Sequence, residues 1–228
     1  MLRELLTIFR SDKPLAAMGK NFSQMLEMTN QMTIQAGVMY FTDTVAPNER
    51  TQIYKKDVQV NKLERTIRKQ VIAHLSLGNW PSLPYCLLLM SLVKDVERIG
   101  DYAKNLSELR EIHPAALPDD EIVAELKEIR ASVEQQFADT AQVFSTSDRE
   151  RALVLTQEGR VLTHRCDALV TRIAASDYSA GTATALALGV RFYKRIAAHV
   201  LNVLSSVVMP LHKLDYYDED EIAADEVG

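Results

Sequence analysis

Seven prolines divide this chain into long segments with helical periodicity. They stand at positions 14, 47, 81, 84, 114, 118 and 210. Because proline breaks a helix interior but is accepted in the first turn, the segments between prolines are natural units of secondary structure. Residues 15–46, 48–80 and 85–113 carry apolar residues at steps of three and four, the spacing of one buried helix face. Each of these three segments is predicted to form one long helix.

The remaining segment, 119–209, is too long for a single helix. Two clusters of turn-forming residues, 145–148 and 176–181, divide it into three more helices. Ser147 and Glu150 have the spacing of a capping box, and Gly78 is predicted to end the second helix. The predicted fold class is therefore all-α, with six long helices and no strands.

An internal repeat relates the two halves of the chain. Residues 94–105 align with residues 191–202, which lie 97 positions further along. The third helix therefore corresponds to the sixth, the second to the fifth and the first to the fourth. This pattern predicts two tandem, pseudo-symmetric three-helix bundles. We place the first bundle at residues 1–114, the second at 115–214 and an acidic tail at 215–228.

Charge is concentrated at the end of the chain. The formal net charge is −5, but residues 215–228 hold seven acids and no base, so residues 1–214 carry a small positive excess. The tail is predicted to be a solvated, disordered end, with binding to a basic partner surface as the alternative. A nearly neutral body lacks the basic footprint of a general nucleic-acid binder, so no nucleic-acid partner is expected.

Composition also indicates where the protein works. The longest apolar run, 83–93, is far shorter than the roughly 20 residues of a membrane span, and the N-terminal residues do not form a signal peptide. We therefore expect a cytoplasmic protein with no direct membrane insertion. Cys86 and Cys166 each lie within an apolar helical pattern, which favours buried thiols over a disulfide or a zinc site.

Two polar stripes run along the second and third predicted helices. The third helix carries Lys94, Glu97, Asp101, Asn105 and Glu108, and the second carries Asp57, Asn61, Glu64 and Arg68. If these helices pack antiparallel, the stripes bring together carboxylate and amide oxygens, which suit hard cations and some iron centres. The same spacing also fits solvated ion pairs on exposed helix faces. From spacing alone, a metal site and an ion-paired surface both stay open.

Segments within these stripes resemble the PhoU family. Residues 56–64 read KDVQVNKLE and residues 96–105 read VERIGDYAKN. The patterns Asp-x-x-Val-Asn-x-Leu-Glu and Glu-Arg-Ile-Gly-Asp stand in the order and at the separation found in that family, and the resemblance covers roughly residues 12–210. It implies that each half is a three-helix bundle and that each half carries a Glu/Asp-x-x-x-Asp motif for a multinuclear metal cluster.

The resemblance assigns metal-binding roles to four residues of the first half. Glu97 and Asp101 match the family motif, and Asp57 and Asn61 match the facing helix. The implied cofactor is a set of divalent or trivalent ions, with iron, zinc, manganese and magnesium all open. The weaker candidates are Glu64, Asn105 and Glu108.

The second half departs from the family pattern. Lys194 and Ala198 replace the motif acids, while Glu158 survives opposite them and Leu162 replaces the asparagine. Because a cationic amine repels metal ions, no second cluster is expected. The same helix carries a basic strip, which is expected to be a solvated face, with binding of phosphate or of an acidic partner segment as alternatives. The strip consists of Arg191, Lys194, Arg195, His199 and Asn202.

The resemblance also implies a function. Family members restrain phosphate uptake and phosphate-starvation signalling through contact with a phosphate transporter, its ATPase or a sensor histidine kinase, so we expect a metal-binding regulatory adaptor, free in the cytosol or held at the membrane by a transporter. A homodimer stays open. The chain has no Glu-x-x-His, Gly-rich phosphate loop or nucleophile motif, so no enzyme is expected. The alternatives are a metal-free helical interaction module and a metal-dependent phosphoester hydrolase.

Overall fold

The computed structural model describes residues 13–42 and 48–214, and within them the chain is helical with no strand. These ranges contain six α-helices. A single turn of 3-10 helix at Trp80–Ser82 lies between the second and third helices, and another at Leu211–Lys213 follows the sixth. The predicted all-α fold is confirmed, whereas the acidic tail predicted at 215–228 lies outside the described residues. The helices are α1 (Lys13–Phe41), α2 (Glu49–Ser76), α3 (Leu83–Ile112), α4 (Glu121–Thr146), α5 (Arg149–Ala174) and α6 (Ala180–Val208).

Helix ends follow local chemistry, with one correction to the predicted boundaries. Gly78 has a φ of +84°, a left-handed conformation that glycine adopts readily, and the predicted stop of α2 is confirmed. The predicted capping box at Ser147 and Glu150 is wrong. Ser147 ends α4 in the left-handed region, and Asp148 caps α5 by accepting a hydrogen bond from the backbone N–H of Arg151 at 3.0 Å. An aspartate adjacent to the first turn is a strong N-cap acceptor, so it takes that role from the serine.

The helices form two three-helix bundles that share one core. Helices α1, α2 and α3 contact one another, as do α4, α5 and α6. Across the two bundles, α3 packs against α6 and α1 packs against α4, and the buried apolar residues of all six helices form one continuous cluster. Burial of each large apolar side chain stabilises the fold by about 1.5–3 kcal/mol. The two-bundle architecture is confirmed, while the division of domains near residue 114 stays a prediction.

The repeat is visible in the contacts between α3 and α6. Asp95 contacts His199, with 2.8 Å between Oδ1 and Nδ1, and the ring of Tyr102 lies 6.1 Å from that of Phe192. A shift of 97 residues carries Asp95 onto Phe192 and Tyr102 onto His199, so these two contacts are equivalent. Tyr102 also stacks on its own equivalent, His199, with ring centroids 5.8 Å apart. A pseudo-twofold axis therefore passes between α3 and α6 at this pair.

The two cysteines should be unreactive in the folded protein. Cys86 and Cys166 are both fully buried, and burial raises the pKa of the Cys166 thiol to about 12. Because the thiolate is the reactive form, almost no nucleophile exists near neutral pH. We expect a thiol reagent to label neither cysteine in the native protein and both in denaturant, measured by mass spectrometry. If the cysteines of the native protein reacted as fast as a small thiol free in solution, the core would have to open readily.

Candidate functional site

The predicted metal ligands lie along the contact between α2 and α3. Asp57 projects from α2, where it is buried, and Glu97 and Asp101 project from α3 one turn apart on the same face. Asn61 follows Asp57 by one turn of α2 and is half-buried. The fold therefore places the four residues at one helix–helix contact, as the polar stripes predict.

An ammonium group lies between the two carboxylates that approach each other across this contact. The Nζ atom of Lys104 lies 3.3 Å from Oδ2 of Asp57 and 3.4 Å from Oδ1 of Asp101. Burial opposes the charge on Lys104, but the two carboxylates outweigh burial and raise the pKa of Lys104 above its ordinary value. Lys104 is therefore a charged link that ties α2 to α3.

The other acids of the two stripes also have partners. The remaining ion pairs are Glu97 with Lys94 (2.7 Å), Asp101 with Arg98 (3.5 Å) and Glu64 with Arg68 (2.8 Å). Four carboxylates are thus matched by four cations, and the cluster as a whole is close to neutral. Glu108, a weaker candidate, accepts a hydrogen bond from the hydroxyl of Tyr54. That bond, together with burial and the charge of Glu108, raises the pKa of Tyr54.

These side chains do not fit a metal ion in the arrangement that they adopt. Within residues 13–42 and 48–214, no three His, Cys, Asp or Glu side chains come together as a group that could hold one. A cluster of hard cations needs several uncompensated anionic oxygens, whereas here Asp57 and Asp101 share Lys104 and Glu97 is engaged by Lys94. The metal site at Glu97, Asp101, Asp57 and Asn61 stays a prediction, and it requires Lys104 to move away.

A lysine also joins two helices of the second half, although it stands at the position equivalent to Glu97 and not to Lys104. The Nζ atom of Lys194 on α6 contacts both carboxylate oxygens of Asp167 on α5, at 2.5 and 2.6 Å. Lys194 thus joins α5 to α6 as Lys104 joins α2 to α3. Opposite it, Leu162 is buried in the core and Glu158 is exposed. The expectation that this half lacks a metal cluster stays a prediction.

The predicted solvated strip on α6 needs correction, because most of it faces α3. The guanidinium of Arg195 lies 5.7 Å above the ring of Tyr102, and its Nε donates to the Tyr102 hydroxyl at 3.2 Å. His199 Nδ1 and Asn202 Nδ2 each lie 2.8 Å from Oδ1 of Asp95. Asp95 of the first bundle is therefore the acidic partner of His199 and Asn202, whereas Lys194 pairs with Asp167 within its own bundle.

Sequence reasoning misses Asp95, although one signal marks it. Asp95 directly precedes Val96 and follows Leu92 by three positions, so it lies on the apolar face of α3, where an unpaired charge would be costly. A charged residue inside an apolar stripe indicates a buried polar partner, and the structure supplies two, His199 and Asn202.

Comparison with known proteins gives a family match for the first half of the chain and structural matches for the whole fold. The family described as PhoU domain matches residues 22–109. No curated protein matches the chain in sequence. Its fold is similar to the crystal structure of PhoU from Pseudomonas aeruginosa, with 17% identity, a TM-score of 0.77 and coverage of 85% of this chain and 95% of that one.

A second solved structure has the same fold. It is the phosphate transport system regulatory protein PhoU from Streptococcus pneumoniae, with 17% identity, a TM-score of 0.74 and coverage of 88% of this chain and 94% of that one. At 17% identity the two structures establish the fold of this chain. The family match rests on the sequence of residues 22–109, which lie in the first half. The resemblance to the PhoU family is thereby confirmed over residues 22–109, the part of this chain that matches the PhoU domain.

Proposed function

We propose that this chain regulates phosphate transport by contact between its helical surface and a phosphate transporter, its ATPase or a sensor histidine kinase. The observation that carries the proposal is the PhoU domain at residues 22–109, within a fold shared with a phosphate transport system regulatory protein. A regulator of this kind changes the activity of its partner, so it needs an exposed recognition surface rather than a catalytic centre.

The described side chains favour contact over catalysis. A metal-dependent phosphoester hydrolase needs a metal ion with an open coordination position. Where Asp57 of α2 and Asp101 of α3 approach each other, Lys104 lies between them. The ion pairs there support the metal-free interaction module over the hydrolase, and in this form Lys104 supplies the positive charge that joins the two helices.

The regulatory proposal is tested by phosphate uptake in cells of the source organism. Cells that lack this protein should take up radiolabelled phosphate faster when phosphate is abundant, and a phosphate-starvation reporter should be switched on. Expression of the wild-type chain should reverse both effects. Unchanged uptake and an unchanged reporter in the deletion strain would show that the chain does not regulate phosphate transport.

Removal of the Lys104 amine should create affinity for a divalent cation. Lys104→Met keeps the side-chain length but leaves Asp57 and Asp101 without their shared counter-ion, and carboxylates that lack a competing cation bind hard ions more tightly. We expect the variant to bind Mn²⁺ at least about tenfold more tightly than wild type, a difference of roughly 1.4 kcal/mol. The measurement is calorimetric titration of chelator-treated protein.

Two controls define the outcome of this titration. Lys127→Met, an exposed lysine of α4, should change nothing, and Asp101→Asn added to Lys104→Met should remove the gain. The proposal that the chain works without a metal is wrong if the purified wild-type protein retains one or more metal ions per chain and the Asp101→Asn variant does not. The predicted centre at Glu97, Asp101, Asp57 and Asn61 would then hold.

A further inference from the structure

Near one end of the first bundle the described residues carry an excess of positive charge. The start of α1 and the end of α2 lie side by side there, joined by a hydrogen bond from Nδ2 of Asn21 to Oε1 of Gln70 at 3.1 Å. Residues 13–26 and 65–93 contain five lysines and arginines and no aspartate or glutamate. This excess contrasts with the α2–α3 contact, where four carboxylates are matched by four cations.

Four of these five cations are available for an external partner. Lys13, Lys20, Arg65 and Lys69 are exposed, and none of them forms an ion pair with another described residue. Lys20 and Lys69 directly precede the hydrogen-bonded pair Asn21 and Gln70 in sequence, so they lie close together on neighbouring helices. Their mutual repulsion would be relieved by an anionic surface.

Exposed apolar side chains lie beside these cations, in the turn between α2 and α3. Leu77 is 82% exposed and Trp80 is 64% exposed. An apolar groove of about 510 Å³ runs from this turn between the start of α1 and the end of α2, lined in part by Pro14, Met18 and Leu77. Large apolar side chains that gather in water around a groove are typical of a binding surface.

We propose that this cationic end, formed by Lys13, Lys20, Lys69, Leu77 and Trp80, docks on a membrane surface that contains anionic lipids. Lysine and arginine are attracted to the negative potential of such a surface, and tryptophan favours the boundary between headgroups and acyl chains. None of the helices in the described ranges is long and apolar enough to cross a membrane, so the contact is peripheral. The proposal goes beyond the proposed function because it requires no transporter.

The shape and charge of this end favour a lipid surface over an acidic protein. Leu77 and Trp80 project from one tight turn and can enter only a shallow layer, whereas the cations are spread over two helices and suit a broad anionic plane. The surface is confined to the first bundle. Phe22 of α1 packs against Phe144 of α4, so α5 begins at the same end, and there the exposed residues 148–151 read DRER, in which acids and bases balance.

The single tryptophan of the chain makes the test specific. Trp80 is the only tryptophan, so its fluorescence reports this turn alone. The full chain is mixed with vesicles of phosphatidylcholine, with or without phosphatidylglycerol, at low and at high salt. We expect sedimentation with the anionic vesicles and a blue shift of Trp80 emission at low salt. Both effects should be absent with neutral vesicles and should weaken at high salt, because salt screens the attraction.

Matched variants locate the contact. Lys20→Glu combined with Lys69→Glu should weaken partitioning onto anionic vesicles by at least about tenfold. Lys55→Glu combined with Lys127→Glu makes the same charge change with exposed lysines at the other end of the bundles and should have a much smaller effect. Leu77→Ser should reduce the blue shift.

Three results would overturn the proposal. One is the absence of vesicle binding at low salt, which would leave an acidic protein surface as the partner of this end. Another is binding without a shift of Trp80 emission, which would mean that a different face touches the lipid. The third is an equal loss of binding in the two double variants, which would reduce the effect to overall charge.

Discussion

Asp95→Ala is expected to lower the free energy of unfolding by about 3 kcal/mol, because it leaves two donors unsatisfied at the contact between α3 and α6. Oδ1 of Asp95 lies 2.8 Å from both His199 Nδ1 and Asn202 Nδ2. A carboxylate only accepts, which places the imidazole proton on Nδ1. The other ring nitrogen of His199 is buried without a hydrogen-bond partner among the described residues, so the substitution removes the one polar contact that this ring has there.

The measurement is denaturant unfolding of Asp95→Ala beside a surface control. Glu128→Ala also removes a carboxylate from an ion pair between two helices, at 2.9 Å from Arg165, but Glu128 is 70% exposed. Exposed pairs contribute roughly 0–1 kcal/mol. If the two variants lose equal stability, the Asp95 network does not hold the bundles together.

Gly189→Ala is expected to destabilise the protein by about 2 kcal/mol, although alanine is the better helix former. A Cβ atom at Gly189 would lie 2.5 Å from the hydroxyl oxygen of Tyr40 and 2.7 Å from its Cζ. Tyr40 is buried and donates a hydrogen bond to the carbonyl of Ala185 at 3.1 Å, so its rigid ring cannot turn aside without losing that bond. Overpacking costs about 1–3 kcal/mol and the lost bond about 1 kcal/mol, against a gain of about 1 kcal/mol in helix propensity.

Gly100→Ala provides the matched comparison for this result. Gly100 is also a buried glycine within a long helix, but an added Cβ would meet Cγ2 of Thr29 at 3.4 Å, an ordinary contact distance. We expect the free energy of unfolding of Gly100→Ala to equal that of the wild type or to exceed it by up to about 1 kcal/mol. A comparison of the thermal unfolding temperatures of the two variants separates the cost of overpacking between helices from the gain in helix propensity. Equal behaviour of the two would show that the Tyr40 contact relaxes without cost.

The helices and their pairing are predictable because burial leaves a period in the sequence. Each apolar stripe recurs at every third or fourth residue, and the 97-residue repeat shows that α3 and α6 are equivalent. The exact helix ends are less predictable. Ser147 and Asp148 are both good capping residues at adjacent positions, and only backbone geometry decides which of them caps α5.

The nature of the polar contact between α2 and α3 could not be predicted from spacing. Asp101 and Lys104 stand three positions apart, which fits either a solvated pair or a metal ligand beside an unrelated lysine. Whether Lys104 also reaches Asp57 depends on how α2 crosses α3, and that crossing is set by core residues far from the stripe. The position of Asp95 in an apolar stripe indicates that it has a buried partner, but its partners lie more than a hundred positions away and could not be named from the sequence.

The residues beside the pseudo-twofold axis between α3 and α6 determine which halves can pair. If two first halves paired through α3, Tyr102 would stand in place of His199 and would face Asp95. If two second halves paired through α6, Phe192 would stand in place of Asp95 and would face His199. Only the unlike combination supplies both the carboxylate and the imidazole. The sequence differences between the two repeats therefore favour assembly of one half with the other over self-association of either half.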